Sequence, residues 1–164
     1  MLGIDITPLK PGLHEVILTP SAESLGLDPE VFGAVEVHVR LDHEQERTFV
    51  SFTARATATL LCDRTAVTFE QPVEGSYAVL FVLPEQLGDP AEADDDVRPL
   101  PPPGTELDIT DAVRDTLLLA LPTRRVAPGA EDEDLPVTFG AERAEDGSVI
   151  DPRWDALKKL RDSQ

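Results

Sequence analysis

The sequence predicts an α+β domain: an antiparallel, strongly twisted sheet, with a partial barrel as its curled variant, a buried helix at about 108–121 and a short C-terminal helix at about 151–161. Three patterns carry that expectation. Val50, Phe52, Ala54, Ala56, Ala58 and Leu60 recur at every second residue, with Ser51, Thr53, Arg55, Thr57 and Thr59 between them. A period of two sustained over that length means a long strand with one buried face. Val35, Val37, Val39 and Leu41 repeat the pattern just upstream, and Ile109, Val113, Leu117, Ala120 and Leu121 recur at helical spacing.

A chain of 164 residues, 41% of them apolar, suits a single domain over 1–164 with a real core. Aromatic residues make up only 5%, so valine, leucine and alanine must fill much of that core. No run approaches the roughly 20 apolar residues of a membrane span. The opening MLGIDITPLKPG lacks the basic-then-apolar order of a secretory signal. One cysteine cannot form an internal disulfide. The expected location is therefore the cytoplasm, with no membrane partner. The formal charge of -18, from 32 acids against 14 bases, argues against a broad phosphate-binding surface. Two readings of the acidity stay open: adaptation of a soluble protein to a salty cytoplasm, and attraction to a basic partner.

In chain order, Ile4 and Ile6 alternate with Asp5 and Thr7, and Pro8, Pro11 and Gly12 mark a turn. Leu13 to Thr19 reads as a second extended run, Ser21 to Leu25 as one helical turn capped by Thr19 or Ser21, and Asp28-Pro29 as a turn. The alternating run at 35–41 and the long strand, joined by the polar loop 43–46, form a hairpin. Asp63-Arg64-Thr65 interrupts the long strand after Cys62, and a second apolar run follows. Pro72 should bend or end that segment, and Tyr77 to Leu83 should be covered on both faces. The stretch 84–104, acidic and rich in proline, reads as a flexible excursion. Asp108 or Thr110 can cap the next helix, Leu118 and Leu119 widen its apolar arc, and Pro122 stops it. A second acidic loop is expected over about 127–147. Asp151 and Pro152 then open the last helix, with Trp154, Leu157 and Leu160 on one face.

Chemistry-bearing motifs are few. Cys62, His14, His38 and His43 show no metal-ligand spacing. Arg64 could lower the Cys62 pKa, but no histidine base is identifiable, and a small half-buried thiol at a strand end is the plainer reading. There is no phosphate-cradling glycine loop and no nucleophile elbow. No cofactor is expected. The basic spots, Arg124-Arg125 and the Arg153/Lys158/Lys159/Arg161 end, are small.

Three stretches in this order, TLLCDRTAVTFEQPVEGSYAVLF, LDITDAVRDTLLLALPTRRV and IDPRWDALKKL, resemble the YceD family of bacterial proteins, which has plant organellar relatives. The resemblance covers most of the chain from about residue 33. It implies a non-enzymatic role in ribosome biogenesis, supporting accumulation of large-subunit ribosomal RNA; together with the acidity, it leads to the expectation that the chain binds a basic ribosomal protein or a pre-ribosomal large-subunit particle. The residues that match the family pattern, and so become candidate motif or partner-binding residues, are Cys62, Asp63, Arg64, Asp151, Pro152, Arg153 and Trp154. A turn, a cap and a core anchor would account for them equally well. Many members carry C-x-R-C at the strand end and a cysteine cluster after the L-A-L-P helix. Here Thr65 replaces the second cysteine, and 127–140 holds none, so no metal site carries over. The alternatives are a direct RNA-binding module using Arg64, Arg124, Arg125 and the C-terminal helix, and, ranked last, a cysteine-based enzyme.

Overall fold

The computed structural model describes residues 1–87, 96–102 and 106–130. They form strands β1 (Gly3–Asp5), β2 (Gly12–Leu18), β3 (Phe32–His43), β4 (Arg47–Leu61), β5 (Thr68–Val82), β6 (Val97–Pro99) and β7 (Glu106–Asp108), followed by helix α1 (Thr110–Leu119). Among the described residues β2 to β6 make one five-stranded sheet in sequence order, and β1 pairs with β7 in a separate ribbon. The β2–β5 ladders are antiparallel, as the alternation predicts. β6 joins β5 in parallel, so the sheet is mixed rather than wholly antiparallel, and it does not close into a barrel.

The period of two translates directly into burial. Val35, Val37, Val39 and Leu41 on β3, and Val50, Phe52, Ala54, Ala56, Ala58 and Leu60 on β4, are all buried. The intervening residues form an outer face. Three outward rows run across four strands: Leu13–Asp42–Phe49–Leu80, Glu15–Arg40–Ser51–Ala78 and Ile17–His38–Thr53–Ser76.

Helix α1 lies on the inner face against β4 and β5. Ile109, Val113 and Leu117 are fully buried there. The approach is close because the sheet is built of small residues beneath it, with Ala54 opposite Gly75. A methyl group at Gly75 would stand 2.6 Å from Thr116 Cγ2 and 3.1 Å from its carbonyl oxygen. The N-cap is Ile109, which has no side-chain cap bond, in place of the expected Asp108 or Thr110; Asp108 Oδ1 instead accepts the Thr110 N–H at 2.9 Å in a local turn just before the helix. Thr110 Oγ1 in turn accepts the Leu2 N–H at 2.6 Å, and the Ile109 N–H donates to the Leu2 carbonyl. The helix start is thereby tied to the first residues of the chain.

Four expectations need correction. Pro72 neither bends nor ends β5: it pairs opposite Thr57 in an unbroken register. Among the described residues β6 meets β5 only at Leu80–Val82, so Pro72 sits where the strand has no second described neighbour, and its missing N–H costs no bond of the β4–β5 ladder. The excursion 84–104 contains a short helical turn at Pro84–Gln86 and strand β6, too brief for any periodicity to show. Leu118 and Leu119 do not extend the buried arc; they are 45% and 85% exposed. Finally, Asp108, expected as the first residue of the helix, is the last residue of strand β7, and the helix runs over Thr110–Leu119. Residues 88–95 and 103–105 of the excursion expected over 84–104, the part beyond residue 130 of the second acidic loop expected over about 127–147, and the whole of the C-terminal helix expected at about 151–161 lie outside the described residues.

Candidate functional site

The interruption at 62–67 is the turn between β4 and β5. Its backbone closes on itself, the Ala66 N–H donating to the Cys62 carbonyl and the Cys62 N–H to the Val67 carbonyl. Ala66 adopts a left-handed φ of 54°, the strained position of the turn. The same turn captures the segment after α1. The Asp63 N–H donates to the Arg125 carbonyl at 2.7 Å, Asp63 Oδ2 accepts the Arg125 N–H at 2.8 Å, and the Ala127 N–H donates to Cys62 Sγ at 3.3 Å. Three contacts across more than sixty residues of sequence fix 124–127 to the strand end.

Cys62 is 2% exposed. Its thiol is surrounded by donors, first the Ala127 amide, then the Thr65 hydroxyl, then the Thr65 and Arg64 amides. They favour the thiolate and lower its pKa to about 7, against the opposing effect of burial. Thr65 thus supplies a hydroxyl to the sulfur. Among the described residues no group of three or more His, Cys, Asp or Glu side chains converges as a metal site would require. The three histidines have local partners: His14 Nε2 lies 2.6 Å from the Lys10 carbonyl, His38 Nε2 2.6 Å from Glu36 Oε1, and His43 Nδ1 2.9 Å from the buried Thr48 Oγ1.

Of the sequence-predicted candidates, Cys62, Asp63 and Arg64 therefore come together on one turn, with Arg64 half-buried beside the exposed Arg124 and Arg125 segment. Asp151, Pro152, Arg153 and Trp154 lie outside the described residues. The roles of Arg125 and Ala127 as the partners of the turn were not foreseen.

The matching family model is YceD, described as "Large ribosomal RNA subunit accumulation protein YceD", and it spans residues 50–161, more than half of the chain. The chain belongs to the YceD family. The match begins inside β4 and includes the Cys62 turn, β5 and α1, so the family pattern is centred on the elements that this turn joins. The family is described by rRNA accumulation and not by an enzymatic activity. No curated protein and no solved structure matches the chain.

The second surface with functional character is the outer face of the sheet. Ile17, His38, Ser51, Thr53, Ser76 and Ala78 contribute to the lining of a shallow trough of about 780 Å³. Its floor is made of small side chains, with the Thr53 and Ser76 hydroxyls paired at 2.9 Å. Arg55 and Glu74 close one end through a 2.6 Å ion pair, which raises the Arg55 pKa further above its ordinary value. Arg47 and Glu44, paired at 2.8 Å, stand at the other end near Phe49, and the Glu44 carboxyl is lowered by its hydrogen bond to Arg47. The described part of the chain contains no helix long and apolar enough to cross a membrane.

Proposed function

We propose that this protein supports accumulation of large-subunit ribosomal RNA without catalysis, by binding a basic ribosomal protein or a pre-ribosomal particle through one. The family match carries the reading. The charge of -18 favours a cationic partner by long-range attraction and disfavours naked RNA. A broad outer sheet face with exposed Leu13, Ile17 and Phe49 supplies contact area. A cysteine enzyme is the weakest reading, because a nucleophile must reach its substrate and Cys62 is enclosed by backbone. The test is deletion of the gene, with the ratio of large- to small-subunit ribosomal RNA measured before and after complementation. A falling ratio restored by the intact chain is expected; an unchanged ratio removes the proposal.

One observation favours direct RNA contact as a second reading: Asp63 holds the Arg125 backbone at the turn that carries Arg64, which gathers three arginines in one region. That reading requires binding to rRNA fragments at low salt with a steep loss as salt rises. Arg124→Ala with Arg125→Ala should then reduce both affinity and salt slope.

A further inference from the structure

Among the described residues, strand β2 is the terminal strand of the five-stranded sheet and is bonded to β3. Both of its faces are incompletely covered. On the inner side Val16 and Leu18 continue rows that are fully buried on β3, yet they are themselves only half-buried. On the outer side Leu13 and Ile17 are 61% and 59% exposed. A ligand lying on the outer face alone would cover only the second pair. One further strand beside β2 would cover both.

Among the described residues the edge is open to such a strand. Its seven residues pair with β3 in unbroken register, without a bulge, and contain no proline or lysine of the kind that guards exposed edges. The opposite edge differs, since β5 carries Pro72 along its unpaired length. Pro11 and Pro20 flank β2 and confine the opening to one short stretch.

The charge pattern selects the occupant. Glu15 is the central residue of Gly12–Leu18 and lies on the outer face between Leu13 and Ile17, with Arg40 of β3 opposite it on the side away from the edge and its other side toward the edge. A second copy pairing antiparallel about the strand centre would place Glu15 opposite Glu15, a destabilising arrangement between two chains that each carry -18. An incoming strand with Lys or Arg between two apolar residues on the same face would meet the acid with its complement. We infer that β2 is a docking edge for an extended cationic protein segment of pattern apolar-x-Lys/Arg-x-apolar, added as a sixth strand. The backbone ladder supplies affinity and the Glu15 row supplies selection. The inference deepens the proposed function, resting on it for the partner's basic character.

The test uses the full chain and a blocked peptide, Thr-Val-Thr-Lys-Thr-Val-Thr, against its Lys→Glu counterpart. Amide exchange should slow across residues 12–18 on peptide addition, and the Lys peptide should bind roughly three- to fivefold more tightly than the Glu peptide, a factor in the range of single cross-strand charge pairs. Glu15→Lys should reverse that ranking, whereas Glu70→Lys, which makes the same change in net charge on exposed β5, should leave it in place. Glu15→Lys also faces Arg40 across the β2–β3 ladder, so Glu15→Gln, which removes the acid without adding a cation, should abolish the preference for the Lys peptide with the β2–β3 pairing intact. Equal effects of the two variants, protection elsewhere than β2, or binding of an RNA oligonucleotide in place of either peptide would overturn the inference. Cells carrying Glu15→Lys with normal large-subunit RNA, where deletion lowers it, would refute the docking edge and leave the proposed function standing. Normal RNA in the deletion itself would refute that function alone.

Discussion

The Cys62 sulfur sits among amide and hydroxyl donors, and the consequence is a pH dependence. Its pKa is near 7 in the folded protein, below the ordinary thiol value of 9.0 that the unfolded chain has. Between those values the unfolded state binds more protons, so this group makes stability rise with pH. Its contribution is complete above pH 9 and lost as pH falls through about 7. Urea unfolding of the intact chain at pH 6 and pH 9 should show that rise, and Cys62→Ala should reduce it; identical pH dependence in both would contradict the donor arrangement. Asp63 offers a second residue-scale test. Asp63→Ala deletes the acceptor of the Arg125 N–H and should cost about 1 kcal/mol, while Asp63→Asn keeps an oxygen there and should cost less. Faster exchange of the Arg125 amide in the alanine variant would report the loss locally. That Cys62 and Asp63 hold a distant segment was not legible in the sequence. Hydrogen bonds to backbone amides leave no compositional trace, and Arg125 and Ala127 carry no pattern of their own.

At the scale of elements, the period of two on β3 and β4 was readable because each strand has one buried and one open face, and alternation is the direct record of that asymmetry. Elements of three residues have no room for a period, which is why β6 and β7 passed as loop or helix. Leu118 and Leu119 misled for a different reason. Helical spacing identifies a face, and an unbroken run of leucines contains residues on every face, so only the position of the sheet decides which are covered. The α1 contact makes two predictions. Gly75→Ala should destabilise by about 1–3 kcal/mol through overpacking against Thr116, whose backbone carbonyl cannot rotate away. Leu117→Ala should cost about 2–5 kcal/mol from the vacated core, whereas Leu119→Lys should change stability by less than about 0.5 kcal/mol. Denaturant midpoints of the three variants check all of these together.

For the whole molecule the governing quantity is charge. A chain carrying -18 repels itself when compact, and its ion pairs at the ends of the outer face are exposed and contribute little. Salt should therefore stabilise it: the urea midpoint should rise between about 0.05 and 1 M salt, as screening shortens from more than 10 Å to about 3 Å. A midpoint that falls would mean that attractive pairs dominate instead. The tie between Leu2 and Thr110 bears on how this molecule folds in time. Those two residues are 108 positions apart, and among the described residues β1 pairs with β7. The hairpins β2–β3, β3–β4 and β4–β5 join neighbours and can form as each strand appears, whereas the first residues must wait for the last strand before their hydrogen bonds exist. The β1–β7 ribbon should thus be the slowest part to acquire amide protection during refolding, and the N-terminus the last segment to be locked in place.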